Sequence, residues 1–320
     1  MLGNLAMCGL LGVGLIILYY GAETLVKGSV SLATSYGISP LMIGLTVVAF
    51  GTSTPELSLD LTAALRGTTD LAFGDIIGSN IANIGLIAGL AALVRPMAVQ
   101  MRLLRFEVPF LVAASVVLWL LTADGLLGRI DCLIMLLMFA FYLVVTYRAA
   151  SREPAVVKDE LKELAHNHLP RWKCMLLIMA GLAGLILGSQ MMVYAAVAIA
   201  RQFGISELVI GLTIVAVGTS LPELATSIVG ALRGEADIVI GNVIGSNIFN
   251  ILLVLSSVAL VQPIDVHASS WRLEVPIMIG FAIALIPIMS RGRIVDRLEG
   301  AGLLACYLAF CIWQAMHSAA

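Results

Sequence analysis

Long apolar runs alternate with short polar breaks along the whole chain. Runs of this length suit helices that cross the hydrocarbon core of a bilayer. The pattern predicts ten of them, over residues 5–33, 39–65, 72–93, 104–122, 127–148, 173–200, 206–232, 239–260, 271–290 and 299–317. Only one polar stretch is long, from Arg148 to Lys173. It divides the chain into a first unit at 1–149, a linker at 150–172 and a second unit at 173–320, with five helices in each unit. The linker is too short for a regulatory domain. Its charged segment around Lys158–His166 reads as a solvated connection or a short surface helix.

Composition supports the bilayer reading. Of 320 residues, 60% are hydrophobic and 12% charged, and mean hydropathy is +1.04. A soluble domain carries about twice that charge. The net charge of -2 gives no basic surface for nucleic acid. The first apolar run, Leu5 to Tyr20, lacks a basic leader and an obvious cleavage site, so it reads as a retained helix. The five cysteines, Cys8, Cys132, Cys174, Cys306 and Cys311, are scattered through apolar segments without metal-ligand spacing and read as small apolar filler.

Basic residues set an orientation through the positive-inside rule. Loops after the first, third, fifth, seventh and ninth helices hold 13 Lys and Arg, against 4 in the alternate loops. The central loop is therefore expected in the cytoplasm, with both termini outside a plasma (inner) membrane.

A repeat recurs at a constant offset of 167 residues. Gly37–Leu57 reads GISPLMIGLTVVAFGTSTPEL and Gly204–Leu224 reads GISELVIGLTIVAVGTSLPEL, with 16 of 21 positions identical. The same offset aligns Ala64–Gly67 with Ala231–Gly234, and Gly78–Ile84 with Gly245–Ile251. Five helices per half is an odd number, so the second half enters the membrane from the opposite side. The predicted fold is all-α, a polytopic membrane protein with ten transmembrane helices in two inverted five-helix repeats. Such folds place their site near the midplane, where interrupted helices from the two halves meet.

GTSTPE at Gly51–Glu56 and GTSLPE at Gly218–Glu223 fall mid-membrane. Pro55 and Pro222 lack an N–H and crowd the carbonyls of Gly51 and Gly218. Backbone carbonyls freed in hydrocarbon need another partner. A hard cation bound by carbonyl, hydroxyl and carboxylate oxygens is one. Ala49, Ser53 and Glu56 share a helix face at i, i+4, i+7, as do Ala216, Ser220 and Glu223. Ser79 and Asn83 sit one turn apart, as do Ser246 and Asn250. Inverted symmetry would gather these faces around one point. The result is an all-oxygen site with two carboxylates and no thiolate or imidazole cage, unsuited to zinc or copper. Charge of −2 is balanced by one divalent or two monovalent cations.

GTS-x-PE twice, each followed about 22 residues later by GSN-x-x-N, resembles the two alpha-repeats of the calcium/cation antiporter superfamily, in its prokaryotic sodium/calcium exchanger-like branch. The resemblance covers essentially all ten helices. It implies Glu56 and Glu223 as calcium ligands and Thr52 and Thr219 as backbone-carbonyl donors. It implies Ser53, Ser79, Ser220 and Ser246 as hydroxyls of flanking sodium sites, helped by the carbonyls of Ala49 and Ala216, with Asn83 and Asn250 completing the centre. It also implies a first and a sixth helix that slide across an eight-helix core. Some relatives carry Asp where this chain has Asn250, among them potassium-dependent exchangers, which argues against potassium co-transport.

The expectation is thus a sodium/calcium antiporter with no cofactor, its partners being the two ions and the lipid bilayer, working as a monomeric transport unit. The alternative is a proton-coupled calcium or cation exchanger; the serine-rich flanks favour sodium. No HExxH, GxSxG or Walker A motif suggests an enzyme or an ATP-driven pump. Among weaker signals, Asp60 lies one turn beyond Glu56 but its repeat partner is Ser227, so it lines an ion approach or a hydrated funnel. Asp75 aligns with Asn242, near a helix mouth, and Glu23 aligns with Gln190, facing the permeation path. Arg105-x-Glu107 and Arg272-x-Glu274 read as local charge pairs at helix starts.

Overall fold

The computed structural model describes residues 2–151, 169–203 and 216–317. The expectations placed on the charged linker around Lys158–His166, and on the start of the helix predicted from 206, lie outside the described residues. Among the described residues ten helical stretches follow one another: α1 (Leu2–Tyr36), α2 (40–65), α3 (69–94), α4 (Leu103–Leu121), α5 (Arg129–Ser151), α6 (Arg171–Gln202), α7 (216–233), α8 (Ala236–Val261), α9 (Ser270–Ser290) and α10 (Arg297–His317). Seven helices among the described residues are long and apolar enough to cross a membrane. Both α2 and α7 are cut short as continuous helices by their GTS-x-PE motifs.

The buried apolar residues fall into two bodies. The larger draws on α2–α5 and α7–α10 and includes no residue of α1 or α6. The smaller is built mostly from α1 and α6, with Ile43, Val48, Val229 and Ile238 where those two helices lean on the rest. The α1–α6 seam is a glycine contact. A Cβ on Gly21 would stand 2.8 Å from the Leu185 nitrogen, and one on Gly181 would stand 2.6 Å from that of Leu25. Gly14 approaches Gly188 as closely, with a Cβ 3.1 Å from its carbonyl oxygen. Gly14 and Gly181 are repeat mates, as are Gly21 and Gly188, so each contact is the other's counterpart at the 167-residue offset.

Two short antiparallel ladders close the ends of the core. β1 (Met97–Ala98) pairs with β4 (Ile294–Val295), and β2 (Leu126–Leu127) with β3 (Ile264–Asp265). The first joins the loop after α3 to the loop after α9. The second joins the loop after α4 to the loop after α8. Arg171 donates to the Ser35 carbonyl at 3.0 Å and covers the Tyr36 ring, joining the end of α1 to the start of α6. Every such loop contact joins loops of one alternation class, the same classes that the basic residues separate. Outside the core, large apolar side chains such as Leu15, Ile16, Leu137 and Leu187 are exposed, as a lipid-facing surface requires.

Candidate functional site

Both motif helices break at the serine. Ser53 (φ −82°, ψ 4°) and Ser220 (φ −84°, ψ 3°) leave helical geometry at repeat-related positions, each followed by a new helix with proline at its second residue. The ring of Pro55 cannot supply the N–H that would continue the earlier turn. One residue earlier, the Thr54 hydroxyl bonds the Phe50 carbonyl at 2.8 Å. The break points Ser53 and Glu56 inward from one half, and Ser220 and Glu223 from the other. All four are buried, Glu56 and Glu223 to 1% exposure.

A second distortion faces these breaks. α3 becomes π-helical from Asn83 to Ala88, and α8 from Asn250 to Val254. A π-turn begins at the same amide in each half, a feature frequent at functional sites. The chain can run this close to α8 because glycine lines it. A Cβ on Gly245 would stand 2.8 Å from the Leu45 carbonyl oxygen, and one on Gly241 2.9 Å from that of Leu41.

The side chains meet across the two halves. Ser53 donates to Glu223 Oε1 at 3.3 Å. Ser220 donates to Ser79 at 3.4 Å. Thr52 donates to Asn242 Oδ1 at 3.1 Å and lies 3.5 Å from the Ser246 hydroxyl. Asn83 donates to Asn247 Oδ1 at 3.2 Å. Of the residues singled out in the sequence, Thr52, Ser53, Ser79, Asn83, Ser220, Glu223 and Ser246 thus all lie in close polar pairs that cross the two halves. Glu56 lies within electrostatic reach of Glu223. Asn250 is buried in the same layer, with neither end of its amide hydrogen-bonded. The Ala49 carbonyl accepts from the Ser53 N–H at 3.0 Å and the Thr52 hydroxyl at 3.3 Å. Ala216 and Thr219 form the short helix that precedes the Ser220 break. Asn242, read in the sequence only as the counterpart of Asp75, and Asn247, not singled out there, also bond across the halves; they lie in the GNVIGSN stretch of α8, whose first-half counterpart is GDIIGSN.

The polar atoms left over define what the centre can bind. Glu56 Oε2, Glu223 Oε2, Asn83 Oδ1 and Asn250 Oδ1 are buried without a protein partner. Buried polar groups are almost always paired, and each unpaired one needs a reason. No lysine or arginine pairs with either glutamate among the described residues. The unpaired set is oxygen-rich and carries two carboxylates, the donor chemistry of a hard cation.

Other signals resolve differently. Glu107 is paired with Arg102 at 2.6 Å, not with Arg105. Glu274 accepts from Gln314 at 3.2 Å. Glu23 is ion-paired with Arg233 at the end of α7. Trp119 and Trp271 each donate the indole N–H to the other's carbonyl, their rings stacked at 5.4 Å.

A multi-pass helical bundle with a buried, acidic, oxygen-lined centre is the architecture of an ion transporter. This chain belongs to the sodium/calcium exchanger protein family, whose model matches residues 7–148 and 173–316, one match in each half. It is 39% identical to inner membrane protein YrbG of Escherichia coli strain K12, over 96% of this chain and 95% of that one. It is 30% identical to sodium/calcium exchanger MaX1 of Methanosarcina acetivorans, over 93% of this chain and 95% of that one. A solved structure of the sodium-calcium exchanger NCX_Mj, soaked with Na+ and Ca2+, superposes with a TM-score of 0.84 at 31% identity, covering 95% of this chain and 97% of that one. The protein is a cation antiporter of this multi-pass membrane family and not an enzyme.

Proposed function

We propose that this antiporter exchanges sodium for calcium at a single midplane centre made by the two GTS-x-PE motifs. Glu56 and Glu223 are the calcium ligands, with the Thr52 and Thr219 carbonyls. Ser53, Ser79, Ser220 and Ser246, with the carbonyls of Ala49 and Ala216, make the flanking sodium sites, and Asn83 and Asn250 close the centre. The observation that carries this reading is the Ser53–Glu223 hydrogen bond, which links a hydroxyl of one half to a carboxylate of the other beside unpaired carboxylate oxygens. A carboxylate buried in hydrocarbon costs several kcal/mol by most measures, so it marks an ion path.

In this reading all ten helices span the membrane as two inverted repeats. The two matched glycine contacts between α1 and α6, and the loops joined by β1–β4 and β2–β3, favour that topology. The central loop lies in the cytoplasm of the plasma (inner) membrane and both termini lie outside. α1 and α6, whose apolar seam is separate from the main core, move together across it to expose the centre to each side in turn. Two carboxylates suit one Ca2+ or two Na+. A third Na+ would make each cycle electrogenic.

The test is calcium-45 uptake into proteoliposomes loaded with sodium, potassium or choline, with and without a pH gradient. Uptake is expected only with sodium inside, and not from Glu56→Gln or Glu223→Gln. Uptake driven by the pH gradient and indifferent to sodium would overturn sodium coupling and assign the protein to the proton-coupled exchangers.

A further inference from the structure

The two halves differ at one chemically decisive place beside the centre. Beside α7 and α8 of the second half, Thr52 of the first half donates to Asn242 Oδ1 at 3.1 Å, and the Asn242 amide donates onward to the Ser227 hydroxyl at 3.3 Å. All three side chains are buried, and the chain of donors and acceptors is complete. The counterparts of Thr52, Asn242 and Ser227 at the 167-residue offset are Thr219, Asp75 and Asp60. The first link survives, since the Thr219 side chain hydrogen-bonds Asp75. The second cannot form. An amide facing a hydroxyl has become a carboxylate facing a carboxylate, and two ionised carboxylates are acceptors only.

Asp60 nevertheless stays inside, at 1% exposure, and its Oδ2 has no partner. Asp75 Oδ2 is likewise buried and unpaired. The two carboxylates lie within electrostatic reach of each other, and both of Glu56. Among the described residues no three His, Cys, Asp or Glu side chains converge into one metal cage. Asp75 also lies within electrostatic reach of Glu223, so the Asp60–Asp75 pair sits beside the Glu56–Glu223 pair. Asp60 is one turn beyond Glu56 on α2, and Asp75 is one turn before Ser79 on α3. Both lie towards the 66–68 connection. The matching place towards the Gly234–Glu235 connection holds the neutral Ser227–Asn242 bond.

We infer that Asp60 and Asp75 form a second site for a hard cation, calcium in competition with sodium, on the 66–68 side of the centre only. It rests on the calcium-antiport reading and extends it. A positive ion supplies what the missing amide and hydroxyl supplied in the other half, and the Thr219 side chain holds one carboxylate in place. A cation travelling between the 66–68 side and Glu56 meets these oxygens first, so capture from that side is assisted while capture from the other is not. The exchanger is thereby functionally lopsided although its repeats are alike.

The test restores the symmetry. The variant Asp60→Ser/Asp75→Asn recreates the second half's hydrogen-bonded pair, and Asp60→Asn/Asp75→Asn, with near-identical shape, serves if the first fails to fold. Equilibrium calcium-45 binding to purified protein should fall from about two ions per chain to about one, since each carboxylate pair matches one divalent charge. The reverse variant Glu56→Gln/Glu223→Gln should keep the Asp60–Asp75 ion while losing transport. In oriented vesicles, the half-saturating calcium concentration of the symmetrised variant should rise about ten-fold from the 66–68 side, the loss of a focusing charge pair, and hold from the other. Unchanged binding stoichiometry with unchanged half-saturation from both sides overturns the inference while leaving the central site intact; this is the outcome if the pair simply shares a proton. A wild-type protein that neither binds nor moves calcium overturns both readings, and the two failures are distinct.

Discussion

The Ser53 hydroxyl, carried by the first half of the chain, donates to the Glu223 carboxylate of the second across 3.3 Å. The bond ties one broken helix to the other, so neither half has a complete centre alone. A hydrogen bond to a charged group contributes about 1.5–3 kcal/mol. Ser53→Ala should therefore weaken calcium binding by about ten-fold or more at 1.4 kcal/mol per decade, with folding preserved. Glu223→Gln and Glu56→Gln remove charge and should abolish exchange. Calcium-45 binding and uptake on the same preparations check both. A Ser53→Ala protein indistinguishable from wild type would detach this bond from the ion site.

Arg102 and Glu107 make a different kind of pair. Glu107 is fully buried and Arg102 is 22% exposed, 2.6 Å apart. Removing one partner of a buried pair leaves an uncompensated charge, at about 3–5 kcal/mol. Arg102→Ala should lower thermal stability sharply, Arg105→Ala should not, and Arg102→Ala/Glu107→Gln should recover most of the loss. Scanning fluorimetry in detergent separates the three. Equal losses for Arg102→Ala and Arg105→Ala would refute the pairing.

Hydropathy made the helices legible, because each spanning stretch must be apolar along nearly its whole length. Glycine–proline spacing exposed the two broken helices. What stayed hidden depends on local departures from the α-helix. Arg105 was paired with Glu107 from closeness in sequence, yet residues two apart on a helix do not face each other. Residues 103–107 form a π-turn, and a π-turn bonds i to i+5. That is the spacing that brings Arg102 onto Glu107. Within the Gly51–Pro55 interruption, the spacing did not single out Ser53 as the residue that leaves the helix. Glu23 carried no sign of its partner 210 residues away. The unequal pairs Asp60/Ser227 and Asp75/Asn242 were visible in the alignment of the repeats. Their contact was not, because it depends on how α2 meets α3 and how α7 meets α8.

Glu23 and Arg233 join the long α1 to the end of α7, 28% and 54% exposed. An ion pair this exposed is worth about 0.2–1 kcal/mol. That is too little to fix a fold but enough to bias two states. If α1 moves across the core, Glu23→Gln should favour the state in which the two helices part, by up to about five-fold. Half-saturating calcium measured from the two sides of oriented vesicles should then shift in opposite directions. The charge swap Glu23→Arg/Arg233→Glu should restore it. Equal shifts from both sides would assign the pair to general stability.

The α1–α6 seam supplies the sharpest test of movement. Gly21 and Gly181 bring two backbones together so closely that any Cβ would stand within 2.8 Å of a main-chain atom. Overpacking such a contact typically costs about 1–3 kcal/mol. Gly181→Val should therefore push α1 from α6 and lower thermal stability, whereas Gly9→Ala and Gly12→Ala, which meet nothing within 4 Å, should be harmless. The atoms nearest Gly181 are the α1 backbone at Gly21 and Leu25, so the calcium affinity of the centre should survive in Gly181→Val. Turnover should not, if the two helices must travel as one unit. The informative measurement is the ratio of exchange rate to equilibrium calcium binding on the same folded sample. A variant that binds and exchanges like wild type would show that α1 and α6 need no tight seam to carry the ion across.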